Sequence, residues 1–177
     1  MRIEDAEKYF QKLLHEEQIS HAYIIEGNSA SARNKLAGDF AAALQCETRN
    51  FCGHCHSCQA YLSGNHPDIR RVTHEKPDSI GVDEIREGLV DDIGSRPYSS
   101  PYRIYIVEDA EKMTVQSQNA LLKTIEEPPS YGMILLLAEN ADKLLPTIRS
   151  RCILLKLQEE DQPFSEMEAG DRERLFR

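Results

Sequence analysis

The chain has 177 residues, 40% of them hydrophobic and 29% charged, with a formal net charge of −9. That length suggests one domain with the start of a second, and the composition excludes wholesale disorder. No run approaches the roughly 18 to 20 apolar residues of a membrane span, and "MRIEDAEKYF" lacks a signal-peptide core. A cytoplasmic protein without membrane contact is expected. The acidic balance disfavours direct nucleic-acid binding, which rests on basic surface, and favours protein partners.

Residues 4–18 are expected to form a helix. Ala6, Tyr9, Phe10, Leu13 and Leu14 share a stripe, and Glu4 and Asp5 suit its positive N-terminal end. Ala22–Ile25 form a short strand that runs into Gly27 and a loop. Leu36, Ala37, Phe40, Ala41 and Leu44 mark the buried face of the following helix. "HPDIRRV" is a turn into a short strand, and Val82, Ile85, Leu89 and Ile93 space another helix. "YRIYIVED" is a strand ending in acids. "TVQSQNALLKTIEEPP" is a helix that Pro128 must end, because a residue before proline avoids the helical region. "GMILLLAEN" and "CILLKL" are both expected to be buried strands. Continuous apolar strands separated by helices indicate an α/β fold with a parallel sheet covered on both faces. Residues 1–157 form this domain. From 158 to 177 the chain turns polar and is expected to be a linker or the start of another domain, with Leu175 and Phe176 opening a helix without its core.

Four of the five cysteines lie within thirteen positions, as "CETRNFCGHCHSC". Zinc takes four thiolate or imidazole ligands in a tetrahedron, and each C-x2-C turn aims two sulfurs at one point. Cys46, Cys52, Cys55 and Cys58 are the candidate ligands, with Gly53 easing the tight backbone. Four protein ligands leave no open coordination position, so a structural role is expected. An iron–sulfur cluster is the minor rival. His54 and His56 are expected outside the ligand set, and Cys152 as a buried thiol.

A Walker A loop needs G-x4-G-K-[ST]: glycines to curl around phosphates, lysine for the terminal phosphates, a hydroxyl for magnesium. Counting from Gly27, those positions hold Ala32, Arg33 and Asn34. All three departures fall on functional atoms, so no nucleotide cofactor is expected. Ser29 or Ser31 would cap the helix in either case, and weak phosphate binding at its N-terminus stays open. Glu108 and Asp109 end their strand where a Walker B acid would stand, but in the reverse order.

"HAYIIEG", "CGHCHSCQAYLSGNHPDI", "NALLKTIEEPP" and "LLPTIRSRC" together resemble the delta-prime subunit family of the bacterial DNA polymerase III clamp loader, within the AAA+ superfamily. The resemblance implies an AAA+ base domain, with a five-stranded parallel sheet between helices and an inserted zinc module near 46–58. It implies a non-hydrolysing stator, not itself an enzyme, that works beside gamma/tau motor subunits and a delta subunit. Through that assembly it would serve the sliding clamp and primed DNA. It implies that Arg151, in "SRC", reaches a neighbour's ATP as a trans arginine, with Arg149 the weaker candidate. Lys123 and Glu126 are read as a solvated pair on the "LLKTIEEPP" helix. The competing readings are a divergent ATP-binding motor subunit using Arg33, Glu108 and Asp109, and a zinc-dependent nucleic-acid module.

Overall fold

In the computed structural model, residues 1–158 are described; the expected linker therefore lies, beyond Gln158, outside the described residues. Five strands form one parallel sheet: β1 (Ala22–Glu26), β2 (Ile69–Val72), β3 (Arg103–Val107), β4 (Gly132–Ala138) and β5 (Ile153–Lys156). Their order is β2-β3-β4-β1-β5. The fully buried strands β3 and β4 and the nearly buried β1 fill the centre.

Strand alternation divides the apolar side chains between two layers. Tyr23, Ile25, Ile104, Ile106, Met133, Leu135 and Leu137 face helices α1 (Ile3–Glu16) and α2 (Ala30–Gln45). Here Phe10 stacks on Phe40 with ring centroids 3.8 Å apart, and Tyr23 meets both rings edge-on. Ala22, Ile24, Tyr105, Val107, Ile134 and Leu136 face the opposite layer, built from Ile85, Leu89, Ile93, Leu121, Ile125 and Ile148. Tyr9 sits at the rim of its stripe, half-buried, because it packs against the first layer from outside.

Three expectations need correction. The helix through Val82, Ile85, Leu89 and Ile93 is a single α-turn, α4 (Val82–Ile85), followed by a π-turn over Arg86–Val90, where the Asp91 amide donates to the Arg86 carbonyl at 2.8 Å. The wider turn still sends Ile85, Leu89 and Ile93 inward. The strand "CILLKL" is not fully buried: among the described residues β5 has a neighbour on one side only, Ile153 and Leu154 are 37% and 38% exposed, and Leu155 is its one buried residue. The first helix ends at Glu16, because Glu17 turns left-handed with φ 53° and closes it.

Two short helices had no periodicity to announce them. α3 (His56–Leu62) begins inside the cysteine cluster, capped by the Cys55 sulfur, which accepts from the Cys58 amide. α6 (Pro146–Arg149) starts on a proline, whose fixed φ suits the first helical position. It is held by α5 (Val115–Glu126): Gln118 donates to the Met113 carbonyl and accepts from the Leu145 amide at 2.7 Å. Thus α5, ending two residues before Pro128 as expected, positions the turn that carries Arg151.

Candidate functional site

The loop after β1 leads into α2 through the Ser29 cap, whose hydroxyl accepts from the Ala32 amide at 3.2 Å. Gly27 also suits its place for a reason unrelated to phosphate: a Cβ there would stand 3.1 Å from that of Leu157, closer than ordinary contact. Arg33 does not extend into solvent. It is 4% exposed, its Nη1 donates to the Gly27 carbonyl, and its Nη2 lies 3.9 Å from Asp109 Oδ1. Its buried Nε has no partner among the described residues. Asn34 donates to the Ala30 carbonyl and accepts from Arg71 Nη1 at 2.8 Å. Ala32, at the second-glycine position, lies on the first turn of α2.

Both acids at the end of β3 are engaged. Glu108 lies 2.7 Å from Arg71 Nη1. Asp109, left-handed at φ 51°, faces Arg33, Lys112 at 3.5 Å and His74 at 3.6 Å. Arg71 and His74 were not legible as partners: β2 is an edge strand with a mixed burial pattern, and only pairing with β3 brings Arg71 to Glu108.

The four cysteines converge. Their sulfurs all lie within 4.8 Å of one another, with Cys52–Cys58 and Cys46–Cys55 both at 4.0 Å. Four sulfurs bound about 2.3 Å from one ion would stand about 3.8 Å apart, so the cluster fits a tetrahedral metal. Phe51 and Gly53 take positive φ to wrap the loop around this point. Amides of Cys52, Cys55 and Cys58 aim at neighbouring sulfurs at 3.4 to 3.5 Å. Burial works against the Cys46 thiolate, but the Cys52 amide, the Thr48 hydroxyl and amide and the Asn50 amide bring its pKa down to about 5. The Glu47 and Cys58 amides lower that of Cys55, whereas burial pushes the Cys58 thiol up to about 12. A bound cation would deprotonate Cys58 as well. His54 and His56 are exposed and outside the cluster.

Below the cluster, His66 is 8% exposed, with Nε2 2.8 Å from Ser57 Oγ and Nδ1 accepting from the Asp68 amide. The fully buried Asp68 carboxylate takes the amides of Tyr98 and Ser99. Neither residue was singled out from sequence, since an isolated His-x-Asp carries no spacing signal. Burial depresses the His66 pKa, opposed by Asp68 and assisted by His56. The neutral ring is thus favoured by folding, and the unfolded chain binds the extra proton first. Stability should fall as pH drops below about 6.5, the unfolded value. Denaturant melts of His66→Gln between pH 7 and 5 should show a flatter dependence than the parent; an equal slope would remove His66 as the cause.

Arg151 lies on the turn between α6 and β5, its side chain 39% exposed. Its Nε is 2.9 Å from Glu126 Oε1, and Nη1 donates to the Thr147 carbonyl at 2.9 Å. Glu126 therefore pairs with Arg151 and not with Lys123, because α6 brings Arg151 alongside the end of α5. Arg149 is committed to Asp142 at 3.0 Å. Cys152 is half-buried instead of buried, since it heads an edge strand, and burial still pushes its thiol up to about 12.

A five-stranded parallel sheet in this order, with a loop and helix after its first strand, is the arrangement expected of an AAA+ base domain. A family model described as "DNA polymerase III, delta subunit" matches residues 3–161. The chain belongs to this family of DNA polymerase III subunits, and its relatives are named as delta' and gamma/tau subunits. It is 37% identical to the DNA polymerase III subunit delta' of Pseudomonas aeruginosa over 77% of its length and 42% of that protein's. It is 32% identical to the subunit tau/gamma of Haemophilus influenzae, over 84% of its length and 22% of that protein's. A DNA polymerase III gamma subunit-related protein of Thermotoga maritima superposes with a TM-score of 0.64 at 26% identity, covering 86% of this chain and 47% of the other. The Bacillus subtilis DNA clamp loader delta protein shares the fold, with a TM-score of 0.57 at 12% identity, covering 94% of this chain and 45% of the other. The chain spans less than half the length of these relatives. Among the described residues, no helix is long and apolar enough to cross a membrane.

Proposed function

We propose that this chain is the delta-prime-type stator of a clamp loader: it does not hydrolyse ATP itself and presents Arg151 to the nucleotide of a neighbouring gamma/tau subunit. One observation carries the first half of the reading. Arg33, at the position of the phosphate-binding lysine, is folded onto the Gly27 carbonyl and toward Asp109. A buried guanidinium committed to an internal carbonyl is poorly placed for a ligand's phosphates. The second half draws support from the half-exposed Arg151, whose planar donors suit the charge that develops on a γ-phosphate. The four cysteines would hold a structural zinc ion. A delta subunit, the sliding clamp and primed DNA would be met through the assembly.

A calorimetric titration of the chain with ATP and magnesium tests the first half. No saturable binding is expected up to about 1 mM, the range in which a working site is saturated. Micromolar binding abolished by changing Arg33 would instead establish the second reading, a divergent motor subunit. That reading draws on the relatives named gamma/tau, whose identities of 32 to 36% lie close to those of the delta-prime relatives.

A further inference from the structure

The space between a phosphate loop and the acids at the end of β3 is where this kind of site holds phosphates and a divalent ion. Each of the two acids here already faces an arginine. Arg33 Nη2 stands 3.9 Å from Asp109 Oδ1 while Nη1 donates to the loop carbonyl of Gly27. Arg71 Nη1 stands 2.7 Å from Glu108 Oε1 and 2.8 Å from Asn34 Oδ1, the residue at the magnesium-hydroxyl position. Two cations from different elements thus neutralise the carboxylates that a metal would need and engage groups that would line the phosphates.

We propose that Arg33 and Arg71 are built-in counter-ions that close this site from within, so that loop and strand end hold their shape without nucleotide or metal. The proposal rests on the non-hydrolysing reading and assigns its cause to residues that are present, beyond those that are missing. A charge as buried as that of Arg33 persists only where acceptors face it, and Gly27 and Asp109 are those acceptors. Arg71 is braced from its other side by the cysteine module. Tyr61, three residues beyond Cys58, sets its hydroxyl over Gly38, and Arg71 Nη2 lies 3.4 Å from the point a Cβ there would occupy. The Tyr61 ring meets Phe51, the neighbour of Cys52, edge-on at 5.6 Å. Phe51 and Tyr61 thus reach from the cysteine cluster to the Gly38 face of α2, beside the Arg71 side chain that meets Glu108 and Asn34.

The test is a magnesium–ADP titration of the full chain and its variants by calorimetry. The double variant Arg33→Lys/Arg71→Gln, which removes both guanidiniums, leaves Glu108 without its arginine and supplies an ammonium at the phosphate-lysine position, is expected to bind at least about tenfold more tightly than the parent. Arg71→Gln alone, at a half-exposed position that the fold tolerates, carries the same test at about threefold if the double variant fails to fold. Folded variants that bind no better than a silent parent overturn the counter-ion role and leave the non-hydrolysing reading intact. Micromolar binding by the parent overturns both.

Discussion

Arg151→Ala in a loader reconstituted from full-length subunits is expected to lower DNA-stimulated ATP hydrolysis by about 10²-fold or more, with assembly unchanged by gel filtration. The size follows from what a trans arginine supplies: donors placed against charge that exists only in the transition state. Arg151 is anchored through Nε and Nη1, to Glu126 and to Thr147 and Ser150, while its Nη2 has no partner among the described residues. Glu126→Gln should leave the charge but loosen its aim, with a smaller loss than that of Arg151→Ala. Removing a half-exposed ion pair costs little folding energy, so a stability defect does not compete as an explanation. Normal hydrolysis and clamp loading by Arg151→Ala would sink the proposed role.

Chain purified without chelator should carry about one equivalent of zinc, and Cys58→Ser should hold less than half of that. Cys58 is the fully buried ligand of the cluster. Without metal the loop loses the centre that compensates for its positive-φ residues and converging sulfurs. Metal binding at such sites is also folding free energy. The melting temperature should fall by several degrees, since each kcal/mol lost lowers it by about 2 to 4 °C in a domain of this size. Far-ultraviolet circular dichroism should change little, because β1, β3 and β4 bury their own apolar surface independently of the loop. Elemental analysis settles the metal: iron in place of zinc would point to a cluster, and less than half an equivalent of either would count against the site.

The central strands and the longer helices were legible because their signals are local. An apolar run such as Met133–Ala138 has little choice but burial, and the stripe of α2 repeats at helical spacing. The cysteine spacing was legible for the same reason: ligands within one loop need no knowledge of the rest of the chain. The short helices α3 and α6 were not, since one or two turns carry too few residues for a period. β5 was misjudged because an apolar run does not reveal whether a strand has one neighbour or two. The extra residue of the π-turn after α4 was hidden for a related reason, since Leu89 and Ile93 reach the core by either winding.

At the loop after β1, sequence alone determined what is missing: the second glycine, the lysine and the hydroxyl are replaced by Ala32, Arg33 and Asn34. It also determined the four-cysteine cluster and the family's segments. Only the tertiary structure decided what the replacements do. Arg33 turns toward Asp109, 76 positions away; Asn34 meets Arg71 from the far edge of the sheet; Glu126 leaves Lys123 for Arg151. Charged side chains are long and their partners are chosen by which strand ends and helix ends meet, so their pairing is set by sheet order and not by spacing along the chain.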